Sequence, residues 1–549
     1  MKKKHFILLT LLAIGIIWCL SWLFISPPAL KDYADFEAIK VDTVTENHFT
    51  LGKNFLKKKN KNLWEMYSEG EPYEIGYSTG ILAQGLLYRQ EKAFVSQINE
   101  LIPSKNYLSF LRVLIAFFNR NLDASISEEY CQEIYGMSQG SNEEFNYIGP
   151  AYQRLLNYHG AHDIGHALQE LALVGCTSFA VKDDKTDDGK LLVGRNFDFY
   201  VGDEFAKEKM IHFVNPKEGY KFASVTWGGF VGVVSGMNET GLTVTINAAE
   251  SELPTSAATP ISLIAREILQ YAKTTEEAYQ IALRRQGFVS EAILVTSAAD
   301  RKALSIEKSP SAVDSLYDQN NQLLTTNHYK TASMKSATAY DNAYASYYRM
   351  ERLKEMINDT TVLGVEEAAF ILRDKRGLKN TDIGLGNEKA INQLIAHHSI
   401  IFKPETKEMW LSTSHFQLGE YIHYNLDSVF KNAPISSTKS LAIDSLNIAE
   451  DPFVQTAQFK GYLTFKKLVK KYINLAEEER LTQAEIDDFI ALNPSSYYSH
   501  EIIGDYYAKR NQTQQAINYY QNALTKEVAS HHEKVNIEKK LSELQGQTK

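Results

Sequence analysis

The hydrophobic period of the chain changes sharply near residue 175, and this change limits the available folds. Over residues 63–173 apolar side chains recur every three or four positions, as in EPYEIGYSTGILAQGLL and YLSFLRVLIAFFNRNL, a spacing typical of amphipathic helices. From residue 177 onward, short β-branched and aromatic runs alternate with turn sequences such as DDKTDDGK and NETG. A helical block followed by clustered strands predicts a layered α+β fold, with antiparallel sheets rather than a doubly wound parallel sheet.

The β-patterned part of the chain is broken by two helical blocks and followed by a third. The predicted strands are TSFAVK, LLVGRNFD, KMIHFVN, YKFASVTW, GFVGVVSGMN, LTVTINA, EAILVTSA, KALSIEK, HHSIIFKPETKEMWLSTS and EYIHYNL. Helical patterns cover residues 259–286 and 343–372. After residue 451 the pattern is again helical, and SHEIIGDYYAKRNQTQQAINYYQNALTKE fits one tetratricopeptide repeat. The interlocking positions of that repeat are Ile503, Gly504, Tyr507, Ala516, Tyr520 and Ala523.

The N-terminus predicts a membrane anchor. Three lysines precede an apolar stretch over residues 6–25, which is long enough to span a bilayer as a helix, and no small-residue cleavage site follows it. The lysines favour a cytoplasmic N-terminus, so the rest of the chain is expected outside the cytoplasm, periplasmic or extracellular. Secretion after cleavage of a signal is the alternative.

A chain of 549 residues is too long for one ordinary core. We expect an anchor at 1–27, a linker at 28–62, a helical N-terminal region at 63–175 and a catalytic domain at 176–432. A second linker at 433–450 then leads to a helical, tetratricopeptide-like segment at 451–549, which predicts docking of a protein partner.

Composition excludes some classes of function. The formal net charge of −9 and the absence of a basic stripe argue against nucleic acid as a partner. The chain has three cysteines, Cys19, Cys131 and Cys176, and Cys19 lies in the predicted anchor. Three cysteines do not make the disulfide framework of an exported protein, so Cys176 is a candidate for chemistry rather than for cross-linking.

The pair Gly175-Cys176 at the helix-to-strand transition suits a self-cleaving N-terminal nucleophile. The thiol can attack the carbonyl of Gly175, which carries no side chain to shield it. Scission frees an α-amine with a pKa near 7.7–8.0 beside the thiol, and this amine can serve as the general base. A buried structural cysteine at the start of a strand is the alternative.

CTSFAV, GRNFDF and GMNETGLTVTINA, in this order, resemble the linear-amide hydrolases of the N-terminal nucleophile superfamily. That branch includes acid ceramidase, the isopenicillin N acyltransferases and, more distantly, the bile salt hydrolases. The resemblance covers roughly residues 65–430. It implies an αββα sandwich of antiparallel sheets, preceded by a helical pro-region.

The resemblance also implies a role for each of six residues. Cys176 is the expected nucleophile, Arg195 lowers its pKa, and Asp198 holds the α-amine. Asn247 is the expected oxyanion donor, and Asn327 the second asparagine that steadies the tetrahedral intermediate. Arg349 matches the last arginine of the family, although Arg352 lies one turn away.

The implied reaction is cleavage of a linear, non-peptide amide through a thioester, with water or an amine taking the acyl group. No metal and no cofactor are required. The strands around the site are rich in Phe and Val and include Trp227, which predicts an apolar acyl pocket. N-acyl amides of lipid-like character are therefore the expected substrates.

Four alternatives remain at this point. GYSTG, around Ser78, matches the G-x-S-x-G motif of serine hydrolases, although its glycines also suit close helix packing. His162, His166 and Glu170 fall on one helical face, where they could bind zinc. Arg195 and Asp198 are spaced as a surface ion pair would be. The whole chain could also be a non-catalytic, membrane-anchored binding protein.

Overall fold

The computed structural model describes residues 24–167, 174–249, 258–335, 344–360, 362–435 and 437–547. Nearly all of the predicted anchor, residues 6–25, lies outside these ranges, as do residues 168–173 before the expected scission point. Within the described ranges, no single helix is both long and apolar enough to cross a bilayer. Gln84–Leu101 and Lys105–Phe118, bent by 120°, meet that criterion only as a pair.

Helices flank the strands at both ends of the described chain. They are α1 (Ala34–Glu37), α2 (Pro72–Leu82), α3 (Gln84–Leu101), α4 (Lys105–Phe118), α5 (Glu128–Ser138), α6 (Ala151–Ala167), α7 (Ile261–Tyr271), α8 (Thr275–Arg284), α9 (Tyr344–Asp359), α10 (Val365–Leu372), α11 (Leu426–Asn432), α12 (Ala457–Ile473), α13 (Gln483–Leu492), α14 (Tyr497–Ala508), α15 (Thr513–Leu524) and α16 (His531–Gln547).

The strands form two sheets in the described chain. They are β1 (Asp42–Thr45), β2 (His48–Leu51), β3 (Asn54–Asn60), β4 (Leu63–Gly70), β5 (Val174–Val181), β6 (Leu192–Phe199), β7 (Lys209–Pro216), β8 (Phe222–Thr226), β9 (Ser235–Asn238), β10 (Leu242–Ala248), β11 (Glu291–Ser297), β12 (Lys302–Lys308), β13 (Val313–Tyr317), β14 (Gln322–Thr325), β15 (His398–Lys403), β16 (Glu408–Ser412) and β17 (Tyr421–Asn425). The larger sheet has the order β1-β2-β3-β4-β7-β8-β9-β10-β11-β12-β13, and the smaller one β14-β5-β6-β15-β16-β17.

The two sheets pack face to face between two layers of helices. Successive side chains of each strand point to opposite faces of its sheet. Ile400 and Phe402 of β15 face the larger sheet, whereas Ile401 between them packs beneath α9 and α10. Helices α7 and α8 cover the other face of the larger sheet. All pairings are antiparallel except that of β4 with β7. The fold is therefore the predicted αββα sandwich.

The region before residue 71 differs from the prediction. Residues 28–62 are not a simple linker, because β1, β2 and β3 lie there and extend the larger sheet. Residues 63–70 form β4, so the helical region begins at Pro72 rather than at 63. The run FLKKKN hid β3, since three consecutive lysines mask the alternation of the strand. The short strands β13 and β14 were also missed. The domain division itself stays a prediction.

The GYSTG segment is a helix-packing motif and not a nucleophile elbow. It lies inside α2, where a Cβ on Gly76 would come within 1.9 Å of the Glu133 carbonyl oxygen of α5. At Gly80 the same atom would lie 2.3 Å from the Met137 carbonyl oxygen. Ser78 is buried and accepts a hydrogen bond from Asn54 at 2.7 Å. These contacts rule out the serine-hydrolase alternative.

The C-terminal region is helical from α12 to α16, as predicted. A Cβ on Gly504 in α14 would lie 2.5 Å from the ring of Tyr520 in α15, so these two helices interlock at the expected positions. Whether the segment is a tetratricopeptide repeat stays a prediction. Its core is continuous with Leu385, Leu394, Phe416 and Leu418, which lie between the strands of the smaller sheet in sequence.

Candidate active site

Cys176 lies in β5, the second strand of the smaller sheet, and is fully buried. Its register partner in β6 is Phe197, which places Arg195 and Asp198 of the same strand close by. Arg195 Nη2 lies 3.7 Å from Cys176 Sγ. Both Arg195 and Asp198 are fully buried, so the surface ion pair is ruled out.

Arg195 is fixed from several directions. Its Nη1 donates to Ser235 Oγ at 2.8 Å, its Nη2 donates to the Ile246 carbonyl, and its Cζ lies 4.4 Å from the centroid of the Phe197 ring. Ser235 Oγ is also 2.8 Å from His398 Nε2. Burial lowers the pKa of His398 well below its ordinary value. The ring is therefore neutral and places no second positive charge beside Arg195.

Two residues hold the backbone of Cys176. Its amide nitrogen donates to Asn327 Oδ1 at 2.8 Å, and its carbonyl oxygen accepts from Arg349 Nη1 at 2.8 Å. Arg349 Nη2 also donates to Asn327 Oδ1, at 2.8 Å. Arg352 instead pairs with Asp374 at 2.9 Å. Of the two candidate arginines, the structure therefore brings Arg349 to the site.

Both asparagines are engaged with backbone in the continuous chain. Asn247 Nδ2 donates to the Thr325 carbonyl at 3.2 Å, and its Oδ1 accepts from Ser178 Oγ at 2.8 Å. Asn327 Nδ2 donates to the Ala248 carbonyl at 2.9 Å. These bonds tie the end of β10 to the loop after β14. An oxyanion role for either amide requires it to leave its present carbonyl partner, and that role stays a prediction.

Asp198 and Gly175 meet at Gln393, a residue that sequence reasoning missed. Gln393 Nε2 lies 3.4 Å from Asp198 Oδ2, while Asp198 Oδ1 has no hydrogen-bond partner within the described residues. A Cβ on Gly175 would come within 2.3 Å of Gln393 Nε2. A side chain at residue 175 would therefore have to displace the Gln393 amide. The sequence holds no signal for Gln393 or for Ser235. The pair His397-His398 indicates only the start of a strand.

Burial controls the protonation of the site. It raises the pKa of the Cys176 thiol to about 11, an effect that Arg195 and Arg349 oppose and that Asp198 and Glu291 reinforce. It also raises the pKa of Asp198 to about 7, against Arg349 and Arg195. At neutral pH the thiol of the continuous chain is therefore protonated, whereas Asp198 is close to half-ionised.

An aromatic wall leads from Cys176 to a small cavity. Phe197 stacks on Phe199 with ring centroids 5.5 Å apart, and Trp227 stacks on Phe199 at 6.3 Å. The cavity has a volume of about 40 Å³, enough for a solvent molecule but not for an acyl chain. It is lined by Leu87, Gln90, Glu91, Phe94, Tyr158, Phe199, Phe205, Trp227, Gly228 and Gly229. The predicted apolar pocket thus adjoins the N-terminal helices α3 and α6.

The candidate zinc ligands cannot be placed. The side chains of His162 and His166, and Glu170 as a whole, lie outside the described part of the chain. Among the side chains that the structure does describe, no group of three or more histidine, cysteine, aspartate or glutamate residues is arranged to hold a metal ion.

The αββα sandwich and the grouping of Arg195, Asn327 and Arg349 around Cys176 agree with the resemblance found in the sequence. Residues 185–417 match the family model described as acyl-coenzyme A:6-aminopenicillanic acid acyl-transferase. This match confirms the resemblance found in the sequence. It contains Arg195, Asp198, Asn247, Asn327 and Arg349, but begins after Cys176.

Individual similar proteins add little about function. An uncharacterized protein of Archaeoglobus fulgidus is 26% identical over 336 residues, 54% of this chain and 55% of that protein, so the chain spans about half the length of its curated relative. A Caenorhabditis elegans N-acylethanolamine-hydrolyzing acid amidase ortholog is 17% identical, with a TM-score of 0.31 over 42% of this chain and 93% of that one. A variant of the Clostridium perfringens conjugated bile acid hydrolase is 12% identical, with a TM-score of 0.33 over 50% and 100%. Similarity at these identities and TM-scores supports no conclusion about the substrates of this chain.

The pKa of Asp198 yields a prediction about stability. Since burial raises its pKa from the ordinary 3.8 to about 7, the unfolded state releases this proton first as pH rises. The protonated Asp198 therefore contributes its full share to the free energy of unfolding below about pH 4. This contribution is lost as the pH rises through 7. In a Cys176→Ala background, which keeps the chain continuous, Asp198→Asn should melt at the same temperature as its parent at pH 4 and several degrees higher at pH 8.

Differential scanning calorimetry checks this prediction. Asp427→Asn, at an exposed carboxylate paired with Lys407, is the control; loss of this ion pair should lower the melting temperature slightly at pH 8 and less at pH 4, the opposite trend. A lower melting temperature for Asp198→Asn at pH 8 would show that the carboxylate is needed for the fold.

Proposed function

We propose that the chain is an amide hydrolase or acyltransferase that activates itself by cutting the Gly175–Cys176 bond. One observation carries this proposal: three different residues hold the three polar groups of Cys176. Arg195 contacts the thiol, Asn327 the nitrogen and Arg349 the carbonyl oxygen. Burying two guanidinium groups costs desolvation free energy. A cysteine that served only packing would not need them beside it. The family match supports amide hydrolysis or acyl transfer in general.

Scission would begin with attack by Cys176 Sγ on the carbonyl carbon of Gly175. The C–N bond breaks, the nitrogen takes up the thiol proton, and a thioester links Gly175 to the sulfur. Water then hydrolyses the thioester, which leaves a carboxylate on Gly175 and a free α-amine and thiol on Cys176. Asn327 already accepts a hydrogen bond from that nitrogen, and Asp198 Oδ1 offers a second acceptor.

Turnover would use the same sulfur on an external amide. The free α-amine accepts the thiol proton, Sγ attacks the substrate carbonyl, and the amine product leaves with the proton. Water or a second amine then takes the acyl group from the thioester. Arg195, at 3.7 Å from Sγ, would stabilise the thiolate once the α-amine is present.

The substrate class follows from the surroundings of the thiol. Phe197, Phe199 and Trp227 form a continuous aromatic surface beside Cys176, which favours an apolar acyl group. The 40 Å³ cavity must enlarge before such a group can enter. The N-terminal helices that line this cavity would have to shift, and scission before Cys176 would release their covalent link to β5.

The test is turnover of a panel of N-acyl amides, with and without acceptor amines. The panel covers N-acyl amino acids, ceramide-like lipids and conjugated bile acids. Cys176→Ala should lose turnover on the order of 10³-fold or more, because no other group replaces the nucleophile. Cys131→Ala is the matched control, since burial also raises the pKa of that thiol to about 11, and it should retain turnover.

A thiol-directed probe provides the second readout. It should label Cys176 of the active protein and block turnover in proportion to labelling. If no amide is turned over and the probe labels Cys131 alone, the chain is a binding protein rather than an enzyme.

We further propose that the protein works at a membrane outside the cytoplasm, through the predicted anchor and a second contact on α4. This helix presents a row of exposed large apolar side chains: Tyr107, Phe110, Val113, Leu114 and Phe117. In a chain of net charge −9, residues 101–122 contain Lys105, Arg112 and Arg120 but no acidic residue. A helix that is apolar on one face and basic otherwise favours the surface of an anionic bilayer.

Hydrogen–deuterium exchange of the full chain in nanodiscs tests the contact on α4. Backbone amides of α4 should exchange several-fold more slowly with anionic than with purely zwitterionic lipid. Phe110→Glu should remove this protection, whereas Phe370→Glu, at an exposed phenylalanine on α10, should not. Equal exchange in both lipids would contradict an anionic-bilayer contact.

A further inference from the structure

Residues 383–394, termed here the clamp loop, connect the C-terminal helices to the catalytic strands. Asn493, just after α13, donates to the Leu385 carbonyl at 2.9 Å and accepts from the Leu385 nitrogen at 3.0 Å. Asn387 Nδ2 donates to the Glu527 carbonyl at 2.8 Å. Leu385 and Leu394 are buried in the core of the C-terminal helices. The clamp loop therefore takes its conformation from the C-terminal segment.

The fit between the clamp loop and these helices is tight. A Cβ on Gly384 would lie 2.6 Å from Ser496 Cα, and one on Gly386 would lie 2.4 Å from the Tyr462 hydroxyl. Both glycines have φ of +81°, a conformation that other residues rarely adopt. Such close approach leaves the loop little freedom to shift while the C-terminal helices are in place.

The far end of the clamp loop reaches the reacting bond. Gln393 is 2% exposed, and its side-chain amide occupies the space that a side chain at residue 175 would need. The same amide is 3.4 Å from Asp198 Oδ2. Gln393 thus contacts both the residue whose carbonyl is attacked and the carboxyl expected to hold the new amine.

We propose that Gln393 is a positioning residue for Asp198 and the scissile glycine, and that the C-terminal helices act on the active site through the clamp loop. This inference rests on the proposed function. It assigns the C-terminal segment a part in building the site, in addition to any docking role.

The amide of Gln393 favours the ionised form of Asp198. The other charged or titratable groups that act on this carboxyl are Arg195 on its own strand, Arg349 on α9 and the thiol of Cys176 on β5. The Nη atoms of both guanidinium groups already donate to other partners. Removing the Gln393 amide should therefore raise the pKa of Asp198 further, by about half to one pH unit.

The experiment is a double-mutant cycle between Gln393→Met and Asp198→Asn in the full-length protein. Methionine keeps the length of the side chain and removes the donor. Melting temperature is measured against pH for all four proteins, and scission and amide turnover are measured for the two that keep Asp198. Gln393→Met should shift the pH midpoint upward by half to one unit in both measurements. In the Asp198→Asn background it should change no midpoint.

Two controls separate positioning from general loss of stability. Gln417→Met removes another buried glutamine amide, which bonds the Ala396 carbonyl, and should lower stability without moving the pH midpoint. Asn493→Ala cuts the bonds to Leu385 and should move the midpoint in the same direction as Gln393→Met. Tyr520→Phe removes the bond from the Tyr520 hydroxyl to Asp505, which joins α15 to α14 without a clamp-loop residue, and should leave the midpoint unchanged.

The outcomes distinguish this inference from the proposed function. A wild type that neither cuts itself nor turns over amides overturns the proposed function, while the melting cycle still decides whether Gln393 acts on Asp198. A wild type that is active, with an unshifted midpoint in Gln393→Met, overturns the positioning role. A shift in Gln393→Met but not in Asn493→Ala overturns the part given to the C-terminal helices.

Discussion

The buried guanidinium of Arg195 is the constraint around which the site is arranged. A charge with no exposed surface must find partners inside the protein, because its hydration is lost. Arg195 finds them in Ser235, the Ile246 carbonyl, the ring of Phe197 and the sulfur of Cys176. These partners come from four strands of two sheets, so the face-to-face packing of the sheets is what brings them together. The active site is thus the polar interior of the sandwich.

The same burial would separate the state before the proposed scission from the state after it. In the continuous chain the thiol is protonated, its nitrogen is an amide held by Asn327, and both asparagine amides donate to backbone carbonyls. Conversion of that amide to an amine would supply a base on the same residue as the thiol. The arrangement suits a chain that becomes active only once, at its own peptide bond. Under the proposed role of the clamp loop, this conversion also depends on the C-terminal helices, which lie far along the sequence.

Much of this organisation could be predicted from sequence, for physical reasons. The strands β5 to β12 alternate or are fully buried, so their pattern is clear, and the order of GRNFDF and NETGLTVTIN located Arg195, Asp198 and Asn247. Strands β1 to β4 were missed because the lysines of β3 look like a solvated linker and β4 was assigned to the helical pattern that follows it. Gln393, Ser235 and His398 were missed because tertiary contact alone gives them a role. By their spacing in the sequence, Arg349 and Arg352 are both candidates for the arginine of the active site. Only the direction of each side chain in the fold distinguishes them.

The most direct test of the account is the intact mass of the purified full-length protein under denaturing conditions. The account predicts two polypeptides that stay associated in the native state, the larger beginning with Cys176 and carrying a free α-amine. It also predicts that Cys176→Ala gives a single chain of full mass. A wild type that remains one uncut chain while it turns over amides would contradict the central claim, since the base would then have to come from elsewhere than the α-amine of Cys176.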